Sequence, residues 1–223
     1  MLPAWFLPRL MRTRSEDVGA TRLVTAFGNV GFVGLPVVAA IFGEEMVFFA
    51  SLCNIPFNLA LYSSSASQLS PEGGRVRWQD VLNAPVVATL LSIVLLLTHV
   101  PVPAVIADTI SAVSGVTIPL SMIVIGTSLG AISVRAALTD WRAYAVAAVR
   151  LLVCPLLTWV VLRPFVSGDL LGIPVLLAAC PTAMLVTALC LQYDRSDAFA
   201  SKCIFINTIL SAATIPLVIW LLF

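Results

Sequence analysis

Apolar runs of roughly 20 residues, the length that crosses about 30 Å of hydrocarbon, follow one another at about 23–42, 46–65, 83–100, 104–131, 143–163, 171–192 and 203–222. One globular core cannot hide that much apolar surface. Of the 223 residues, 60% are hydrophobic and only 10% are charged, against about a quarter charged in soluble domains, and the mean hydropathy is +1.06. The expected fold is an all-α integral membrane protein with about seven transmembrane helices. The first two runs are joined only by Gly43-Glu44-Glu45, which suffices for a helical hairpin.

The placement of arginine and lysine tests that count, because cytoplasmic loops carry an excess of them. With the N-terminal segment inside and all seven runs crossing, Arg9, Arg12, Arg14, Arg22, Arg75, Arg77, Arg135, Arg142, Arg195 and Lys202 fall inside. Those are ten of the twelve basic residues; Arg163 falls in an outside loop and Arg150 within a span. Dropping any crossing scatters them to both sides. The expected orientation puts the C-terminus outside, in a plasma (inner) membrane.

Two of the runs are broken. Phe27-Gly28-Asn29-Val30-Gly31-Phe32-Val33-Gly34-Leu35-Pro36 interrupts the first, and Cys180-Pro181-Thr182-Ala183 interrupts the sixth. Each is followed by the same Phe-Ala-Ser-x-Cys pattern, Phe49-Ala50-Ser51-Leu52-Cys53 and Phe199-Ala200-Ser201-Lys202-Cys203. Four spans separate the copies, so they enter the membrane from opposite sides and the repeat is inverted. Paired interruptions in two inverted halves point to a transport site at the midplane and to alternating access around it.

At the breaks, Gly31 and Pro36 weaken the helix, and backbone groups freed in hydrocarbon survive only where protein or a water-filled cavity satisfies them. Asn29 offers an amide that both donates and accepts. Pro181 frees carbonyls in the sixth span, and the Thr182 hydroxyl faces Asn29 if the two broken helices cross. Arg150 lies about eight residues inside the fifth span, roughly 12 Å from its end, where a charge needs a partner or a substrate. It is either a counter-charge for an anionic substrate, a snorkelling side chain or a member of a structural pair. Gly115-Val116-Thr117-Ile118-Pro119 is a third interruption, followed by Gly126-Thr127-Ser128, which either adds polar groups to the cavity or marks a simple kink. Asn54 and Asn58 share a helix face and read first as polar glue between helices.

Other chemistries find little support. The five cysteines show no CxxC spacing and no neighbouring histidine, so they read as packing residues, with neither a metal nor another cofactor expected. A net charge of +1 gives no nucleic-acid reading. Gly126-Thr127-Ser128-Leu129-Gly130 matches the serine-hydrolase pattern GxSxG, which has meaning only on a strand-to-helix turn; here it lies in an apolar helix.

The stretch from Phe27 to Pro36 and on through Phe42-Gly43 resembles the fourth-helix motif of the auxin efflux carrier family. The resemblance continues in order through Asn83-Ala84-Pro85, Pro119 to Leu129, Arg150 with Pro155, Pro181-Thr182-Ala183, Gln192-Tyr193 and Thr208 to Pro216. It implies a secondary transporter of small organic anions, with dicarboxylates as one class, built from ten helices in two inverted five-helix halves. The site would form where broken helices cross, with Asn29, Gly31, Pro36, Ser128, Arg150, Pro181 and Thr182 as candidate substrate-binding residues. On that reading residues 1–22 are a cytoplasmic remnant of a preceding helix, 23–65 the end of the first repeat, 66–82 a cytoplasmic linker and 83–223 the second repeat. About three helices are then expected to be missing before residue 21, which keeps a truncated, transport-incompetent membrane protein as the rival reading, with an intramembrane serine hydrolase behind it. Ser114 and Gly115 stand where the plant carriers have an aspartate, so plant-like auxin handling is not implied. The expected partners are a small organic anion and the lipid bilayer, with a homodimer left open.

Overall fold

The structure, a computed structural model, describes residues 2–69, 84–130, 132–194 and 196–222. Arg75, Arg77, Arg195 and residues 70–82 of the expected linker lie outside them. The described chain is helical: α1 (Leu2–Leu10), α2 (Val18–Ala26), α3 (Leu35–Phe42), α4 (Glu44–Leu69), α5 (Ala84–Thr98), α6 (Ala104–Gly115), α7 (Thr117–Gly130), α8 (Val134–Leu138), α9 (Trp141–Ala148), α10 (Cys154–Leu162), α11 (Asp169–Ala179), α12 (Leu185–Gln192) and α13 (Asp197–Leu222). Three apolar helical stretches are long enough by themselves to cross a membrane: Glu44–Leu69, Trp141–Leu162 and Asp197–Leu222. Among the described residues, the other expected runs hold shorter helices: one at 84–98, and two each at 104–131 and 171–192. The run at 104–131 divides at Val116 into α6 and α7, and 66–69, expected in the linker, are the last turn of α4.

The breaks follow from local chemistry. Cys180 is forced into an extended conformation (φ −60°, ψ 145°) because the ring of Pro181 clashes with an α-helical residue before it. At the other break Phe27 is extended (φ −109°, ψ 120°), and Asn29 restarts the helix by accepting a hydrogen bond from the Phe32 N–H with its own Oδ1, as an N-cap does. The restart is a wide π-turn, Val30–Gly34, and Pro36 then enters α3. A second π-turn, Val149–Val153, stands two residues before Pro155 in the same way. Proline lacks a donor and collides with the carbonyl four residues back, and a widened turn just before it relieves both problems without ending the helix.

Two apolar clusters fill the bundle. One gathers Leu23, Val24, Phe27, Leu61, Val146, Leu151, Val186 and Phe205, with Phe27 edge-on to Phe57 at 5.4 Å. The other gathers Val30, Val38, Ile173, Leu176, Ile215 and Val218. The exterior is apolar as well, with Leu97, Val105 and Val113 more than two-thirds exposed, as expected of a surface whose solvent is hydrocarbon.

At one end of the bundle charged groups tie three elements together. Arg142 donates to Asp17 at 3.1 Å and to Asp140 at 3.2 Å, Lys202 donates to Asp140 at 3.2 Å, and Ser196 Oγ donates to Asp17. Arg142 also stacks over Phe199, 4.7 Å from the ring centroid. Burial alone would push the Asp140 carboxyl up, but the hydrogen bonds from Arg142 and Lys202 outweigh it and hold the group below its ordinary 3.8. A depressed carboxylate contributes stability that is fully present above its ordinary value and lost as pH falls through the depressed one. Asp140→Asn is therefore expected to lower the melting temperature at neutral pH by about 2–4 °C. The gap to the parent protein should close as pH is taken below 3.8; a gap unchanged by acid would show that the charge of Asp140 is not what holds the three elements.

Candidate functional site

The two breaks meet. Gly28 and Thr182 form an isolated antiparallel β-bridge, in which the Asn29 N–H donates to Pro181 O at 2.6 Å and the Ala183 N–H donates to Phe27 O at 3.0 Å. Two interrupted helices thus satisfy each other's main chain in the middle of the bundle, which is how irregular backbone is tolerated away from water. Side chains complete the junction. Thr182 Oγ1 donates to Val24 O at 2.8 Å, and Asn207 Nδ2 on α13 donates to that same hydroxyl. Arg150, 3% exposed, donates from Nε to Cys180 O at 3.1 Å and from Nη1 to Ala26 O at 3.0 Å. Gly28 permits this approach: a Cβ there would sit 1.9 Å from Arg150 Nη2.

Beside the crossing lies a cavity of about 210 Å³. One wall is the restart of the first broken helix, Gly28 to Phe32, and another is the restart of the second, Ala183 to Leu185. The third is the face of α4 that carries Asn54, Asn58 and Tyr62. The amides of Asn54 and Asn58 make no hydrogen bond among the described residues, and neither do the main-chain N–H groups of Gly31, Met184 and Leu185. No acidic side chain lines this cavity. Its polar character is that of two helix N-termini, which attract negative charge, joined by neutral amides. A second cavity, of about 510 Å³, lies against Thr25, Ala26, Cys53, Arg150, Cys154 and Ala178, and a third, of about 550 Å³, against Met184, Thr187, Ser201 and Lys202. Met184 lines both the third cavity and the smallest one.

The structure distributes the candidate residues unevenly. Asn29 and Gly31 line the cavity at the crossing. Pro181 and Thr182 are buried in the junction itself. Arg150 faces the second cavity, its guanidinium bound to main-chain carbonyls. Pro36 lies in α3, past the π-turn, and lines none of the three cavities. Ser128 falls in α7, and its side chain lies outside the described residues. Asn54 and Asn58, read from sequence as glue between helices, instead present free amides to the cavity. Their four-residue spacing was visible; which neighbour that face meets was not. Asn207 escaped sequence reading, since a single amide in a long apolar helix carries no pattern.

Residues 73–219 match the sequence profile of a family described as membrane transport protein. That match covers well over half of the chain. The chain belongs to the membrane transport protein family. An uncharacterized transporter from Methanothermobacter thermautotrophicus is 34% identical to it, over 92% of this chain and 70% of its own length. A second uncharacterized transporter, from Methanocaldococcus jannaschii, is 27% identical over 96% of this chain and 71% of its own length. The crossing and its cavity are therefore the interior of an integral membrane transporter.

Proposed function

We propose that this transporter carries small organic anions by alternating access, with the substrate held in the cavity beside the crossing. The observation that carries the reading is the convergence there of unpaired donors, the N–H groups of Gly31, Met184 and Leu185 and the amides of Asn54 and Asn58, with no carboxylate among them. Asn29 adds its Nδ2 while its Oδ1 caps the π-turn, so toward a ligand it acts as a donor. At ~30 Å³ per water the cavity holds the volume of about seven waters, room for a short mono- or dicarboxylate.

The same reading carries seven crossings, the two breaks in inverted halves, and the charged end of the bundle with Arg22, Arg142 and Lys202 on the cytoplasmic side. The ion-paired cluster of Asp17, Asp140, Arg142 and Lys202 then closes the inner end, and the cavity that reaches from Lys202 to Met184, which also lines the cavity at the crossing, is the inward route.

Counterflow of labelled short carboxylates in proteoliposomes tests the proposal. Saturable flux is expected, and Asn29→Ala is expected to reduce it about ten- to a hundredfold by removing a donor to an anion and the cap that orients the π-turn. Asn58→Leu should weaken it by about tenfold with little change in melting temperature, because that amide supports no other group. Full transport by Asn29→Ala would sink the crossing as the site; no saturable flux of any short carboxylate would sink the anion reading and favour a transport-incompetent protein.

A further inference from the structure

The Arg150 guanidinium occupies the point where the carbonyl ends of two helices converge. α2 stops at Ala26 and α11 at Ala179, with Cys180 as its extended cap. The last carbonyls of a helix have no partner within it, and together they amount to about half a negative charge at each end. Two such ends brought together in a protein surrounded by hydrocarbon repel each other and leave acceptors unsatisfied. Arg150 answers both problems. Its Nε takes Cys180 O from one broken helix and its Nη1 takes Ala26 O from the other. No carboxylate pairs with it among the described residues.

A buried charge without an acidic partner ordinarily marks a place for substrate or a coupling ion. Here the counter-charge is the main chain itself. In other transporters with broken helices, unwound carbonyls and half-helix C-termini hold an alkali cation. The fork of a guanidinium presents several rigid donors at once, so one side chain gives each helix end a donor of its own.

We infer that Arg150 is a tethered cation: it neutralises both broken-helix C-termini from within the chain, so the crossing keeps its geometry without a bound alkali ion. Arg150 is thus a positioning residue, and the carbonyls it holds form a latent site for a free guanidinium ion once its side chain is cut back. This inference concerns the carbonyl face of the crossing, and stands or falls independently of the anion assigned to the cavity on the donor face.

Thermal unfolding of the purified transporter at constant ionic strength provides the test. For the parent protein, replacing N-methylglucamine by sodium or potassium should leave the melting temperature unchanged; a saturable rise with either ion overturns the inference. Arg150→Met should melt about 10 °C lower, having lost two charge-assisted hydrogen bonds. Millimolar guanidinium should recover at least half of that loss, and the same concentration of sodium should not. A purely packing role gives no such ion-specific recovery, so a response to guanidinium no greater than to sodium overturns the inference. Where Arg150→Met yields no folded protein, Arg150→Lys decides: it keeps the charge on a single ammonium and should fold with a melting temperature below that of the parent. If Arg150→Lys is lost as completely as Arg150→Met, charge is not what the site requires and the inference fails.

Discussion

Gly28→Ala is expected to abolish transport and to lower the melting temperature by about 10 °C. The added Cβ would lie 1.9 Å from Arg150 Nη2, 3.0 Å from its Cζ and 3.2 Å from Cys180 O. A long side chain can usually swing aside from such a clash, but this one is fixed at both prongs, to Cys180 O and Ala26 O on different helices. Moving it gives up two hydrogen bonds to a charged donor, each worth about 1.5–3 kcal/mol, and leaves two carbonyls unpaired where water is scarce. Gly31→Ala is the matched control. A Cβ there meets nothing within 4 Å, so its melting temperature should stay within about 2 °C of the parent. Gly28→Ala with parental flux and stability would show that the junction tolerates a displaced guanidinium.

Thr182→Val is expected to cost about 2–5 kcal/mol, because the hydroxyl both donates and accepts in a site closed to solvent. Its loss leaves Val24 O without that donor and Asn207 Nδ2 without that acceptor. Thr182 and Asn207 are both fully buried, and Asn207 Oδ1 already has no partner among the described residues. Thr182→Ser keeps both bonds and gives up one methyl, so it should stay within about 1 kcal/mol of the parent. The double change Thr182→Val with Asn207→Leu removes both ends of one bond and should be less harmful than the sum of the single changes. Denaturation midpoints of the four proteins measure that coupling; strict additivity would mean the two side chains do not depend on each other.

Much of the frame was legible. Each break coincides with residues that dislike the helix: Pro181 forces Cys180 extended, and Gly28 with Asn29 stands at the other interruption. Pro36 pointed to the right helix but to the wrong turn. The chain opens at Phe27 to Asn29 and the π-turn absorbs the proline, because a proline requires only that the carbonyl four residues back be moved out of its way. The depth of Arg150 marked it as a residue in need of a partner, yet no reading of side chains could name that partner, since it is two carbonyls. Asn54 and Asn58 were seen to share a face, and only the packing of α4 against the restarts of both broken helices turned that face into a cavity wall.

By itself the sequence determined that this chain lives in lipid, where its helices are interrupted and which polar side chains stand at the interruptions, because hydrophobic length and the stereochemistry of glycine and proline are local properties. Only the tertiary structure decided that the two interruptions bridge through Gly28 and Thr182, that Arg150 binds their carbonyl ends and that the free N–H groups face a cavity. Every residue carries the same main-chain donor and acceptor apart from proline's missing N–H. Which of them are left open, and what they then meet, is fixed by where broken helices cross in space.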